Sequence, residues 1–530
     1  MDAASPPLAP APHWMVRRAS GVLLHPSSLP GPSGSGDLGA RAHAFVDFLA
    51  AAAQSWWQML PVGPIGPGNS PYQSLSSFAG NPLLVSLETL VEEGLLAAGD
   101  ERLADGERED RVDYPRAIAF KESLLRRAFE RRSRAPAAWL ASFEQFSASP
   151  PAWLPDFALY AAIREARGGE PWWHWPAPLR DRDPAALEEV RASGLAEAIR
   201  YHSFVQFLFE RQWRALAEHA HARGVALLGD IPIYVAHESA EVWAHRELFD
   251  LLPDGTARAL AGVPPDYFSA DGQLWGNPLY RWEVHAAEGY AWWIERLRTT
   301  LARFDVVRLD HFIGFVNYWS VPREAKSSKG GHWEPGPGVA FFERVREALG
   351  GLPFLAEDLG EVTRPVHELR DRLGLPGMRV LQFSFGSDQD GPEHFPEKSV
   401  AYTGTHDNDT LLGWLRDPPE RSEPALLAAW ILERERALAH IGGDGPDASW
   451  KFMRLVQASP SLLAMAPLQD VLGLGGEARF NLPGTTAHNW EWRCTGSELR
   501  AEVAERLAAL TRETGRAQGA PSAAATPALR

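Results

Sequence analysis

Three short segments place carboxylates where a buried strand would end. In FDVVRLDHF, Arg308 and Asp310 are two residues apart, which puts both on one face of a strand with Asp310 at its end. A fixed cation beside a carboxylate favours the ionised form that a carboxylate nucleophile needs. A structural alternative stays open at this point, in which Asp310 caps a following helix and Arg308 is its partner. In PFLAEDLG, Glu357 closes an apolar strand and Asp358 follows it. Neighbouring residues point to opposite faces, so one of the two reaches a common site; Glu357 is the choice, because an apolar surround raises a carboxyl pKa toward that of a general acid. A metal on this Glu-Asp pair lacks a third ligand at a sensible spacing, and a solvent-facing helix start is the plainer alternative. In AYTGTHDNDT, His406 and Asp407 follow a short strand, and the calcium-loop pattern D-x-[DN]-x-[DN]-G fails for want of its glycine. Three carboxylates at three strand ends, with Arg and His beside them, suit a retaining glycoside-cleaving site. One attacks the anomeric carbon, one protonates the departing oxygen, and a further anion stabilises positive charge on the sugar ring.

The elements that must hold these residues read as α/β. Short runs of Val, Ile and Leu alternate with longer helical patterns, and no internal repeat is apparent. Strands are expected at 21–25, 55–60, 225–231, 304–310, 353–357, 378–383 and 400–403. Buried parallel strands with polar residues gathered at their C-terminal ends predict a (β/α)8 TIM barrel. A doubly wound sheet predicts the same layout, but neither G-x-G-x-x-G nor G-x-x-x-x-G-K-[ST] follows a strand. Uneven spacing implies large inserted subdomains: a helical insertion at about 86–199 and a smaller one, rich in Gly, Pro and aromatic residues, at about 237–290. Pro- and Ala-rich ends predict a flexible N-terminal tail, 1–17, and a disordered tail, 516–530, around a single catalytic barrel, 18–515. After about Arg493 one amphipathic helix is expected and no C-terminal β-sandwich.

Composition narrows the partners. Of 530 residues, 45% are hydrophobic and 23% charged, and no apolar run nears the roughly 20 residues of a membrane helix. With 52 basic against 68 acidic residues the net charge is −16, which disfavours nucleic acid and anionic membrane. The single cysteine, Cys494, excludes an intramolecular disulfide and a Cys-based zinc cluster. The opening MDAASPPLAPAPHW lacks a basic stretch followed by an apolar one, so a cytoplasmic location is expected. No cofactor and no metal are expected.

Eight segments, in order, resemble the 4-α-glucanotransferases of glycoside hydrolase family 77, in the α-amylase clan. They are SGVLLHPSSLPGPSGSGDLG (20–39), SPYQSLSSFAGNP (70–82), GDIPIYVAHESAEVWAH (229–245), GVPPDYFSADGQLWGNPLYRW (262–282), RLDHFIGF (308–315), AEDLG (356–360), GTHDNDT (404–410) and NLPGTTAHNWEWR (481–493). The resemblance implies transfer of α-1,4-glucan segments through a covalent glycosyl-enzyme, with glucan oligosaccharides as donor and acceptor. It implies Asp310 as nucleophile, Glu357 as general acid/base and Asp407 as transition-state stabiliser. It further implies substrate-binding positions at Tyr72, Asp230, Trp275, Arg308, His311 and His406, with Asp230 holding the site together rather than reacting. The departures are Leu309, where isoleucine is common, and the stretch AKSSKGGHWEPGPG (325–338), which bears on the acceptor side. Gly262–Tyr267 reads as a semi-rigid flap. Of the 21 tryptophans, Trp56, Trp57, Trp319 and Trp414 read as core, Trp172, Trp173 and Trp175 fall in the helical insertion, and Trp275 reads as a glucan platform, since an indole stacks on the apolar face of a pyranose. A plain α-glucan hydrolase shares the carboxylates but usually carries a β-sandwich; a noncatalytic glycan-binding protein needs no three carboxylates. A monomer or weak homo-oligomer is expected.

Overall fold

The computed structural model describes residues 14–103, 109–192, 194–265, 271–360, 362–387, 391–418 and 424–517. Its strands are β1 (Ala19–Leu23), β2 (Trp56–Gln58), β3 (Ala226–Ile231), β4 (Ala259–Val263), β5 (Gln273–Pro278), β6 (Val306–Leu309), β7 (Asn317–Pro322), β8 (His332–Pro335), β9 (Phe354–Ala356), β10 (Gly377–Val380), β11 (Ser399–Tyr402) and β12 (Leu463–Pro467). Eight of them form one parallel sheet in the order β10-β11-β12-β1-β2-β3-β6-β9. The edges meet where the Ala356 N–H donates to the Pro376 carbonyl at 3.0 Å, just before β10. Followed around the sheet, the strands come in chain order, which is the (β/α)8 barrel. Among the described residues, the link from β10 to β11 holds short 3-10 turns at Leu381–Phe383 and Pro392–His394 in place of a helix.

Alternation along each strand sorts the core into two shells. Inward residues Ala19, Leu23, Trp56, Leu228, Val306, Leu355, Met378, Val400, Tyr402, Leu463 and Met465 fill the barrel, while Val22, Trp57, Leu227, Val307, Phe354 and Ala401 pack outward under the helices. The bulk of Trp56 needs room: a Cβ on Gly21 would lie 2.5 Å from the Trp56 Cβ and 2.4 Å from its carbonyl oxygen. Toward the C-terminal ends the filling turns polar, with Gln58, Asp230 and Arg308 buried.

The seven expected strands exist with ends shifted by a few residues, and β12 is an eighth that the sequence pattern did not mark. Its LAMAP stretch carries Ala, Met and Pro in place of the β-branched residues that announce strands. Between β2 and β3 lie helices Leu87–Glu92, Tyr114–Glu130, Ala137–Ala148, Leu154–Ala166, Ala177–Arg180 and Pro184–Ala192. Lys121 anchors them to the loop after β1: its buried Nζ pairs with Asp37 at 3.2 Å and donates to the carbonyls of Leu83 and Val85. The smaller insertion differs from its expected range. Its strand β4 pairs antiparallel with β5 on one side and with β7 on the other, and β7 with β8, so this layer takes strands from both sides of β6 and includes chain beyond position 290.

The ends also differ from expectation. Residues 1–13 and 518–530 lie outside the described residues, but Met15 is buried and Trp14 packs edge-on to Trp56 at 5.7 Å. Arg516, expected in a disordered tail, is fully buried and donates to the carbonyls of Gln457, Ala19, Leu462, Ser459 and Ser461 at 2.6–3.1 Å. These carbonyls belong to the first residue of β1, the last turn of helix Ala448–Ala458 and the chain leading into β12, and the guanidinium fork ties the three together. Trp56, Trp57, Trp172 and Trp175 are buried, whereas Trp319 and Trp414 are half-buried. Among the described residues no β-sandwich follows the barrel, and no helix is long and apolar enough to cross a membrane.

Candidate active site

Register brings the first charged pair together. Asp230 on β3 lies beside Arg308 on β6, both facing inward. Arg308 donates through Nη1 to both Asp230 oxygens at 2.9 and 2.7 Å, and the same atom is 2.9 Å from Oδ1 of Asp310. Burial works against the charge on Arg308, but Asp230 and Asp310 more than offset it and hold the guanidinium protonated. Asp230 also accepts from the Tyr72 hydroxyl at 2.7 Å. The three bonds it accepts suit a carboxylate, in opposition to burial, which pushes its pKa up. Asp310 itself stands at the mouth, with its side chain 26% exposed.

Directly after Asp310 the chain turns sharply. His311 takes the left-handed conformation, φ 51° and ψ 53°, a cost on the order of 1 kcal/mol for a residue with a Cβ. That turn aims its N–H at Oε2 of Glu357, 2.8 Å away, while the Leu359 N–H donates to Oε1 at 2.9 Å. Glu357 follows β9, next to β6 in the sheet, so the two carboxylates end adjacent strands. Burial, helped by the charge of Asp310, pushes Glu357 up to about 7, against the pull of Arg308 and the two N–H groups. Asp358 faces away from the mouth, where it pairs with Arg370 and accepts from the Met378 N–H at 2.7 Å. Gly377 is required there, because a Cβ would stand 2.5 Å from the Asp358 carboxylate.

The third carboxylate lies on the loop after β11. Asp407 accepts from Asn481 Nδ2 at 2.7 Å, its carbonyl accepts from Arg479 at 2.8 Å, and its side chain is 45% exposed. His406 is buried, with Nε2 3.3 Å from Asp407 Oδ1 and its ring stacked on Tyr72 at 5.2 Å. Burial lowers the pKa of His406 and takes that of His311 down to about 4, so neutral imidazoles line the site at neutral pH. Trp275 on β5 meets His311 edge-on at 4.9 Å and lies 6.0 Å from Tyr234, which brings the second sheet up to the barrel mouth. All nine residues singled out from the sequence thus fall at one end of the barrel. Of the expected flap, Gly262 and Val263 end β4 and Pro264 and Pro265 follow it, while Asp266 and Tyr267 lie outside the described residues.

Several residues of the site were not singled out. Asn481 and Arg479 reach Asp407 from more than seventy positions away; the NLPGTTAHNWEWR segment begins with Asn481, and Arg479 lies just before it. Gln58 accepts from the Tyr402 hydroxyl at 2.9 Å inside the barrel. Phe383, 50% exposed, follows β10 at the mouth. Among the described residues no group of three or more His, Cys, Asp or Glu could hold a metal ion.

Known proteins resemble this chain in sequence and in fold. The family model for 4-alpha-glucanotransferase, glycoside hydrolase family 77, matches residues 24–499. A 4-alpha-glucanotransferase of Thermus thermophilus is 47% identical over 509 residues, covering 94% of this chain and 99% of that protein. One from Synechocystis is 46% identical over 510 residues, covering 94% and 98%. In structure, amylomaltase from Streptococcus agalactiae, solved with acarbose, superimposes with a TM-score of 0.88 at 35% identity, covering 94% of this chain and all of that one. With the matched segment spanning every barrel strand but β1 and every strand-end carboxylate, the chain belongs to the 4-alpha-glucanotransferases of glycoside hydrolase family 77.

Proposed function

We propose that this chain moves segments of α-1,4-glucan from one oligosaccharide to the 4-hydroxyl of another, with retention, through an ester on Asp310. The observation that carries this reading is a half-buried, proton-holding Glu357 beside Asp310 at the end of the adjacent strand, its carboxyl fixed by the N–H of His311. Protonated Glu357 gives its proton to the glycosidic oxygen as Asp310 attacks the anomeric carbon; the C–O bond breaks and the shortened glucan leaves. Glu357, now a carboxylate, takes the proton of the incoming 4-hydroxyl, whose oxygen displaces Asp310 and restores the α-linkage. Arg308 orients Asp310, Asp230 fixes Arg308, and Asp407 with His406 faces the ring that carries positive charge. Tyr72 and Trp275 supply aromatic faces to the sugars. Bonds broken and formed are of one kind, so the reaction draws on no cofactor. We place the enzyme in the cytoplasm, as a monomer or weak homo-oligomer; its single cysteine, buried in the core, supports a reducing compartment.

The direct test is to trap the ester. Glu357→Gln incubated with α-maltotriosyl fluoride, whose leaving group needs no acid, should accumulate a glycosylated chain. Peptide mass spectrometry should place the sugar on Asp310. A label on another residue, or none, overturns the assignment.

A further inference from the structure

The loop 404–410 that carries Asp407 is closed by one buried side chain outside it. Asp470 lies in the short helix Leu468–Leu472 after β12 and is 1% exposed. Its Oδ2 accepts from the Thr403 hydroxyl at 2.6 Å and its Oδ1 from the Leu411 N–H at 2.7 Å. Thr403 follows β11 directly, and Leu411 opens helix Leu411–Arg416, so the two oxygens hold the two ends of the loop. The backbone of Asp470 is pinned as well: its carbonyl accepts from the Ser449 hydroxyl at 2.5 Å, from helix Ala448–Ala458. Its hydrogen bonds come from a hydroxyl and an amide, and burial pushes its pKa up to about 7. A carboxyl buried with neutral partners costs several kcal/mol compared with an apolar side chain of similar size. Both of its side-chain bonds go to the flanks of one loop, and that loop ends in the site.

We propose that Asp470 is a positioning residue for the transfer reaction: by fixing the span between Thr403 and Leu411 it sets where the Asp407 carboxylate stands against the sugar ring. The inference rests on Asp407 being the charge-stabilising carboxylate. Arg479 and Asn481 hold Asp407 from the mouth side, and Asp470 holds the loop from beneath. A shift of about 1 Å at such a group lowers turnover by about 10²-fold.

The test is a double-mutant cycle read as kcat and KM on maltotriose, with thermal melts recorded for every variant. Thr403→Val keeps shape and removes one bond of the clasp; Asp470→Ala removes both, and Asp470→Asn keeps an acceptor for Leu411. Thr403→Val should lower kcat about tenfold with KM nearly unchanged, Asp470→Ala about 10²-fold, and Asp470→Asn should recover most of that loss. In an Asp407→Asn background, Thr403→Val should lower kcat by less than about threefold, because the group it positions is already gone. If Asp407→Asn alone leaves kcat intact, the reading of Asp407 fails. If Asp407→Asn is crippling but the Thr403 loss is fully additive, or if Thr403→Val only lowers the melting temperature, the positioning role is overturned even where Asp470→Ala fails to fold.

Discussion

At the scale of single residues, the acid Glu357 is made by its surroundings. Burial keeps its proton on up to about pH 7, well above the ordinary carboxyl range, while two backbone N–H groups fix both oxygens. Activity should therefore fall as pH rises through about 7, with Glu357→Gln slower by about 10²- to 10⁴-fold at the optimum on substrates with poor leaving groups. The same shift has a stability consequence of definite sign. Between the unfolded carboxyl value of 4.5 and about 7 the folded chain holds this proton and the unfolded chain does not, so stability falls as pH rises through that window. Glu357→Gln should flatten that part of the melting-temperature profile and melt higher than the parent at pH 8; a profile parallel to the parent's would contradict the assignment. Asp310 and Glu357 were marked in the sequence by the apolar runs they close, and Asp407 by the short strand ahead of its loop. Asn481, Arg479 and Asp470 were not, since their partners lie 59 to 74 positions away and no local pattern records such a contact.

Among the elements, the inner strands carry the plainest sequence signal, because a strand buried on both faces is a run of apolar residues. Seven were legible on that ground, while β12 went unmarked for its Ala, Met and Pro. The base of the barrel is joined by Arg516, whose guanidinium ties the chain after helix Ala501–Glu513 to β1 and to the segment leading into β12. Composition misplaces this residue, since an Ala- and Pro-rich stretch begins immediately after it. A chain ending at Gly515 loses these buried hydrogen bonds and should lose roughly 2–4 kcal/mol, seen as a lower melting temperature. A chain ending at Ala517 should melt with the parent. Equal stability of the two would remove Arg516 from this role.

For the whole molecule, the decision between water and sugar lies in what stands over the barrel. The sheet β5-β4-β7-β8 brings Trp275 to within 4.9 Å of His311, beside the nucleophile. An aromatic wall there holds an acceptor sugar and displaces water. Trp275→Ala should lower the ratio of transfer to hydrolysis on maltotriose by roughly two- to tenfold, measured as free reducing ends against chain-lengthened product. An unchanged ratio together with unchanged acceptor affinity would sink this role. This second layer was the least legible part of the fold, because β4 pairs with β7 across some fifty intervening positions. The barrel, its strand-end acids and the layer above them make one claim, that this chain exchanges glucan segments. Pure maltotriose as sole substrate tests it most directly: a ladder of longer and shorter oligomers should form with little net gain in reducing ends. Glucose and maltose alone, or no change at all, would contradict it.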